Sequence, residues 1–152
     1  MIAIASDHGG FALKAEIVDH LRSKGEEFTD FGAHTAESCD YPVYGEAAGR
    51  AVAEGKCDKG IIICGTGIGI SIAANKIPGI RAALCGDCYS AEMARRHNDA
   101  NILALGARVI GTGHALKIVD VFSETPFDGG RHAKRVDLIR DIENKRFTSR
   151  EG

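Results

Sequence analysis

No apolar run in this chain approaches the ~20 residues that a membrane-spanning helix needs, so no membrane association is expected. No charge of one sign dominates either: 19 basic and 21 acidic side chains leave a formal charge of −2 over 152 residues. So weak a field excludes bulk electrostatic attraction, and nucleic acid is not expected as a partner. The five cysteines are odd in number and irregularly spaced. That argues against a disulfide scaffold and favours a reducing cytoplasm. Residues 1–7 lack the basic start of a signal peptide, and Asp7 and His8 interrupt the apolar stretch, so this segment reads as a strand. Internal repeats, low-complexity tracts and linkers are also missing; residues 125–130 form the only loop rich in Pro and Gly. One domain over 1–152 is expected, with a sizeable core.

What is present is an alternation of short apolar runs and helical patterns. Strands are predicted at 2–6, 27–31, 59–64, 81–85 and 102–105, with 27–31 more polar and near a sheet edge. Helices are predicted at 11–21, 41–55, 68–75, 89–97, 115–122 and 131–145. In the first, Leu13, Ile17 and Leu21 recur at i, i+4 and i+8, while Lys14, Glu16 and Asp19 fall largely outside that stripe. Gly25 ends it. The tail, 147–152, is polar and expected to fray. Strands that each precede a helix, most of them apolar on both faces, predict a doubly wound α/β fold. Its five-stranded parallel sheet is covered by helices on both faces, a Rossmann-like three-layer sandwich. Right-handed crossovers then put every strand-to-helix loop at the carboxyl edge, where ligands bind in such folds.

The segment from Gly60 to Ser71 carries the most chemistry. An apolar strand runs into Cys64, and Gly65, Thr66, Gly67 and Gly69 lead into a helix start. A helix N-terminus lowers a thiol pKa, so Cys64 reads as a base or nucleophile beside amides able to hold an anion. Thr66 adds a hydroxyl, or serves only as a cap. Asp7 and His8 end the first strand at the same edge; Asp7 could equally cap the helix near Gly10. His97 and Asn98 close the helix after the fourth strand, and an acid, two imidazoles, a thiol and an amide nest are expected to converge on one crevice. Arg131 and Arg135, at i,i+4, repel mildly unless an anion lies between them, which suggests a phosphate clamp. Arg108 is a third candidate. Cys85 and Cys88 form a C-x-x-C without a second pair to complete a zinc site, so no metal is expected. The P-loop pattern is absent, and the dinucleotide fingerprint lacks its third glycine at Ile70 or Ile72, although Asp87 stands where a ribose-binding acid would.

These residues form motifs that resemble the ribose-5-phosphate isomerase B family, with the galactose-6-phosphate isomerase subunits as relatives. The similarity runs nearly end to end. It is carried by Ser6-Asp7-His8-Gly9-Gly10, Asp40-Tyr41-Pro42, the run from Ile63 through Lys76, the run from Arg96 through Asn101, Gly106-Ala107-Arg108 and Gly129-Gly130-Arg131-His132. The resemblance implies conversion of ribose 5-phosphate to ribulose 5-phosphate without metal or organic cofactor. It implies that Cys64 moves the proton, since Ile70 stands where some members carry a glutamate. Thr66 and the loop amides, including those of Gly65, Gly67 and Gly69, would stabilise an enediolate. Asp7 and His97 would open the furanose ring. Asn98 and Tyr41 would hold sugar hydroxyls, and His8, Arg131, Arg135 and Arg108 the phosphate. It also implies an active site shared between subunits, hence a homodimer or tetramer. Alternatives are a 6-phosphohexose (allose or galactose 6-phosphate) as substrate, a nucleotide-binding module of the same fold class, or a non-catalytic interaction subunit.

Overall fold

Side chains of the central strands are buried throughout and alternate between the two faces of the sheet, which divides the core in two. In the computed structural model, which describes residues 1–148 and side chains through residue 145, the sheet contains β1 (Ile2–Ser6), β2 (Phe28–Asp30), β3 (Lys59–Cys64), β4 (Ala82–Leu84) and β5 (Ile102–Gly106). All neighbours are parallel and the order is β2-β1-β3-β5-β4. Ile2, Ile4, Ile61, Ile63, Leu103 and Leu105 point to one face; Ala3, Ala5, Ile62, Cys64, Ile102 and Ala104 point to the other. The first face is covered by α1 (Phe11–Ser23), α4 (Cys88–Asn98) and α5 (Thr112–Glu124), through Ile17, Leu21, Ala94, Ile118 and Phe122. The second is covered by α2 (Tyr41–Ala53) and α3 (Ile68–Ala74), through Ala48, Ala51, Ile70 and Ala74. The last helix, α6 (Arg131–Thr148), starts beside the end of α4. The predicted doubly wound fold is the observed one.

The differences from the predicted elements lie at their ends. β2 and β4 are three residues each, shorter than 27–31 and 81–85, because both are edge strands paired on one side. α5 begins at Thr112, ahead of 115, its first turn closed by Ala115 N donating to Gly111 O at 3.0 Å. Gly25, at φ 71°, terminates α1 as read. α6 extends through 147 and 148; the rest of the expected tail, 149–152, lies outside the described residues. Among the described residues, no helix is long and apolar enough to cross a membrane.

One placement corrects the helical stripe. Lys14 is buried rather than outside it, at 3% exposure. Its Nζ donates to both carboxylate oxygens of Asp30, at 2.7 and 2.9 Å, and to Ala33 O at 2.6 Å. The ammonium thereby ties α1 to edge strand β2 and to the loop behind it, a contact that helical periodicity does not encode. Removing one partner of a buried pair strands the other. Asp30 retains some water access, its side chain being 30% exposed. Lys14→Ala should therefore cost about 2 kcal/mol, below the full buried-pair figure. Urea denaturation at neutral pH checks this, and an unchanged midpoint would contradict it.

Candidate active site

β1, β3 and β5 end side by side, and β1/β3 is where the chain's winding direction reverses. Cys64, the last residue of β3, faces the α2/α3 side and is 5% exposed. The chain turns at Gly67, whose φ of 76° favours glycine and where a Cβ would sit 2.8 Å from the Leu105 carbonyl carbon. That turn aims the Gly67 amide at Cys64 Sγ, 3.1 Å away. Thr66 Oγ1 accepts from the Ile68 amide at 3.2 Å, but the N-cap of α3 is Gly67, so the hydroxyl holds the turn ahead of the helix rather than capping it. Its own proton stays free to donate outward. The loop is thus less open than a nest of wholly free donors: two amides are engaged inside it. Among the described residues, no hydrogen bond engages the amides of Gly65, Thr66 or Gly69.

The other strand ends face this loop. Asp7 is 6% exposed and its Oδ1 accepts from Gly10 N at 3.0 Å, which holds the turn leading into α1. His8 Nδ1 accepts from the Cys39 amide at 3.2 Å. The same nitrogen lies 3.3 Å from Cys39 O, to which it donates when it carries the ring proton. Sequence reading missed this role of Cys39: it is a backbone contact 31 residues away and leaves no side-chain signal. Arg108 follows β5, its amide donating to Gly65 O at 2.9 Å. A Cβ on Gly9 would lie 3.3 Å from Asp7 Oδ1 and 3.5 Å from Arg108 Nη2, so carboxylate and guanidinium flank that glycine. Tyr41 opens α2 and lies so close to Gly69 that a Cβ there would be 2.9 Å from the phenol oxygen.

His97, Asn98, Arg131 and Arg135 are not in this group. A crossover helix starts at the carboxyl edge and ends at the amino edge, so the last turn of α4 lies at the far side of the sheet. The anchoring bonds fit: Asn101, three residues past Asn98, accepts from Gly60 N at the start of β3. β3 alone spans about 17 Å. The expected single crevice is therefore corrected: within one chain the candidates form two sets on opposite edges. The second set is compact. Asp128 N donates to Arg96 O at 3.1 Å, docking the start of α6 on α4. Arg131 and Arg135 are exposed, and among the described residues neither forms an ion pair. His132 and Val136, one position on, turn inward and are buried. The His132 ring stacks on His97 with centroids 4.2 Å apart and planes 9° from parallel. Burial first, then the charges of His97, Arg131 and Arg135, holds the His132 pKa below the usual histidine value. His97, Asp128 and His132 offer ligand atoms within 4.8 Å of one another. A metal lies in the plane of an imidazole that binds it, and two nearly parallel planes share no such point.

The competing readings lose their residues. Asp87, the candidate ribose acid, caps α4 by accepting from Ser90 N at 2.7 Å and from Ser90 Oγ at 2.8 Å. Cys85 and Cys88 are free thiols, and burial pushes Cys85 up to about 11.

The model of the Ribose/Galactose Isomerase family matches residues 2–139. The chain belongs to that family. It is 52% identical over 145 residues to ribose-5-phosphate isomerase B of Escherichia coli, covering 95% of this chain and 97% of that one. The solved ribose-5-phosphate isomerase B of Clostridium thermocellum matches with a TM-score of 0.94 and 60% identity, over 95% of this chain and 97% of that chain. A Mycoplasma genitalium ribose-5-phosphate isomerase B, solved with bound ribulose 5-phosphate, matches with a TM-score of 0.90 and 40% identity, over 94% and 95%. The family motifs thus sit on this fold at both edges of the sheet.

The turn at Gly67 yields a test. Gly67→Ala adds a Cβ against backbone and forces a left-handed φ on alanine. Expected is a loss of about 1–3 kcal/mol in thermal unfolding. The Cys64 thiol should also become more accessible to a thiol reagent, because the amide above it must move.

Proposed function

We propose that this chain interconverts ribose 5-phosphate and ribulose 5-phosphate through an enediolate, at a site completed by two copies. The observation that carries the reading is the donor-faced thiol: Cys64 Sγ ends a buried strand under the Gly67 amide, at the edge where phosphorylated ligands bind in this fold class. Aldose–ketose isomerisation needs a base beside two adjacent carbons, donors for the oxygen that becomes negative, and an anchor for the phosphate. Cys64 as thiolate takes the C2 proton of the open-chain aldose. The electron pair passes into the C1–C2 bond, and the aldehyde oxygen becomes the enediolate oxygen. The unengaged loop amides and the free Thr66 proton would stabilise it. Return of the proton from Cys64 to C1, with transfer of the O2 proton to O1, gives the ketose and restores the thiolate. No electrons are exchanged with a second molecule, so the reaction needs no redox cofactor.

Ring opening comes first: a base takes the anomeric hydroxyl proton and an acid protonates the ring oxygen. Asp7 and His97 would share these tasks, and Tyr41 and Asn98 would hold hydroxyls. His8, Arg131, Arg135 and Arg108 would hold the phosphate. Binding energy from that non-reacting group supports the chemical step. His97, Asn98, Arg131 and Arg135 reach the thiol only if a second copy supplies them. The reading therefore includes a homodimer or a tetramer built from such pairs.

Cys64→Ala should abolish ketose formation from ribose 5-phosphate without added metal; an active variant would remove the proposed base. Arg135→Ala should mainly raise KM. The shared site has its own signature. Inactive Cys64→Ala and His97→Asn proteins, unfolded together at equal amounts and refolded, should recover about a quarter of wild-type activity, since half the dimers then hold one intact site. No recovery would mean that each chain builds its site alone.

A further inference from the structure

We propose that His132 is a positioning residue for ring opening, its ring fixing His97 by face-to-face stacking. The inference rests on the reading that His97 opens the sugar ring. Three observations carry it. First, His132 is 7% exposed although it opens a helix whose neighbouring residues 131 and 135 face solvent. Second, among the described residues no hydrogen bond engages either of its ring nitrogens, so what it presents to His97 is its aromatic face. Third, its backbone is set independently of the ring: His132 N donates to Gly129 O at 3.0 Å, and the Asp128 amide ties the turn to α4.

His97 needs such a support. It lies in the last turn of α4, half-buried, and no hydrogen bond orients its ring among the described residues. An imidazole free to rotate seldom points a nitrogen at the ring oxygen, and misplacement by about 1 Å costs on the order of 100-fold. A stacked partner removes that rotation at little cost in solvation. The low His132 pKa fits the same role, because an uncharged face tolerates a protonated neighbour and a second imidazolium would not.

The experiment separates ring opening from proton transfer. Ribulose 5-phosphate has its C5 hydroxyl esterified, cannot close a five-membered ring and enters as an open chain. Exchange of its C1 proton with D2O, followed by NMR, therefore reads enediolate formation alone. His132→Ala should lower kcat on ribose 5-phosphate by about tenfold or more. KM and the rate of C1 exchange should stay within about twofold of wild type. His132→Phe keeps an aromatic face without nitrogens and should restore most of kcat. The inference is overturned if turnover and exchange fall together, if neither falls, or if the Phe variant, with an unchanged Tm, stays as slow as the Ala variant. A wild-type protein inactive on ribose 5-phosphate would instead overturn the proposed function.

Discussion

A single backbone amide, that of Gly67, points at the sulfur of Cys64 from 3.1 Å, and much of the carboxyl edge is arranged so that it can. β3 has to deliver Cys64 with the right parity, and its alternation sends Ile61 and Ile63 to one face and Ile62 and Cys64 to the other. A slip of one residue would bury the thiol under α1 and α5, away from α3. The turn has to reverse within three residues, which takes a left-handed backbone at Gly67. The neighbouring strand has to lie flush beneath it, and the Cβ that glycine omits would strike Leu105 on β5. Sheet register, turn conformation and the reactive group are one constraint seen from three sides.

The second organising fact is geometric. Right-handed crossovers place strand-to-helix loops at one edge of a parallel sheet and helix-to-strand loops at the other. Residues that end a strand and residues that end a helix therefore cannot meet in one copy, whatever their chemistry. Asp7, His8, Cys64 and Arg108 end strands; His97 and Asn98 end a helix, and Arg131 and Arg135 are docked beside that end. The topology keeps the two sets of candidates apart, and the proposed association of identical chains is the simplest arrangement that would join them.

Stability and site geometry share residues at both edges. Asp7 holds the turn into α1, Thr66 holds the turn into α3, and Lys14 fastens α1 to the strand before the loop that contacts His8. A structural role and a proposed chemical one are compatible: an oxygen held in a turn has a fixed position, and a fixed position is what a catalytic oxygen would require.

The amino-acid pattern by itself determined the order and type of every element, the parallel sheet and the placement of Cys64 before a glycine turn. Those features are written in local periodicity and in Gly and Pro chemistry, which act over a few residues. The family motifs also supplied the candidate side chains at both edges of the sheet. The family resemblance already implied a site shared between subunits, but the residues alone suggested one crevice; which candidates lie at which edge depends on where each helix ends in space. The burial of Lys14 was not legible either, since its partner Asp30 lies sixteen residues away. The ring of His132 was hidden for the same reason: it reads as one more polar residue in a basic helix start, and only the docking of α6 on α4 turns it onto His97. Local interactions specify the elements; which faces meet is decided by packing, summed over contacts far apart in the chain.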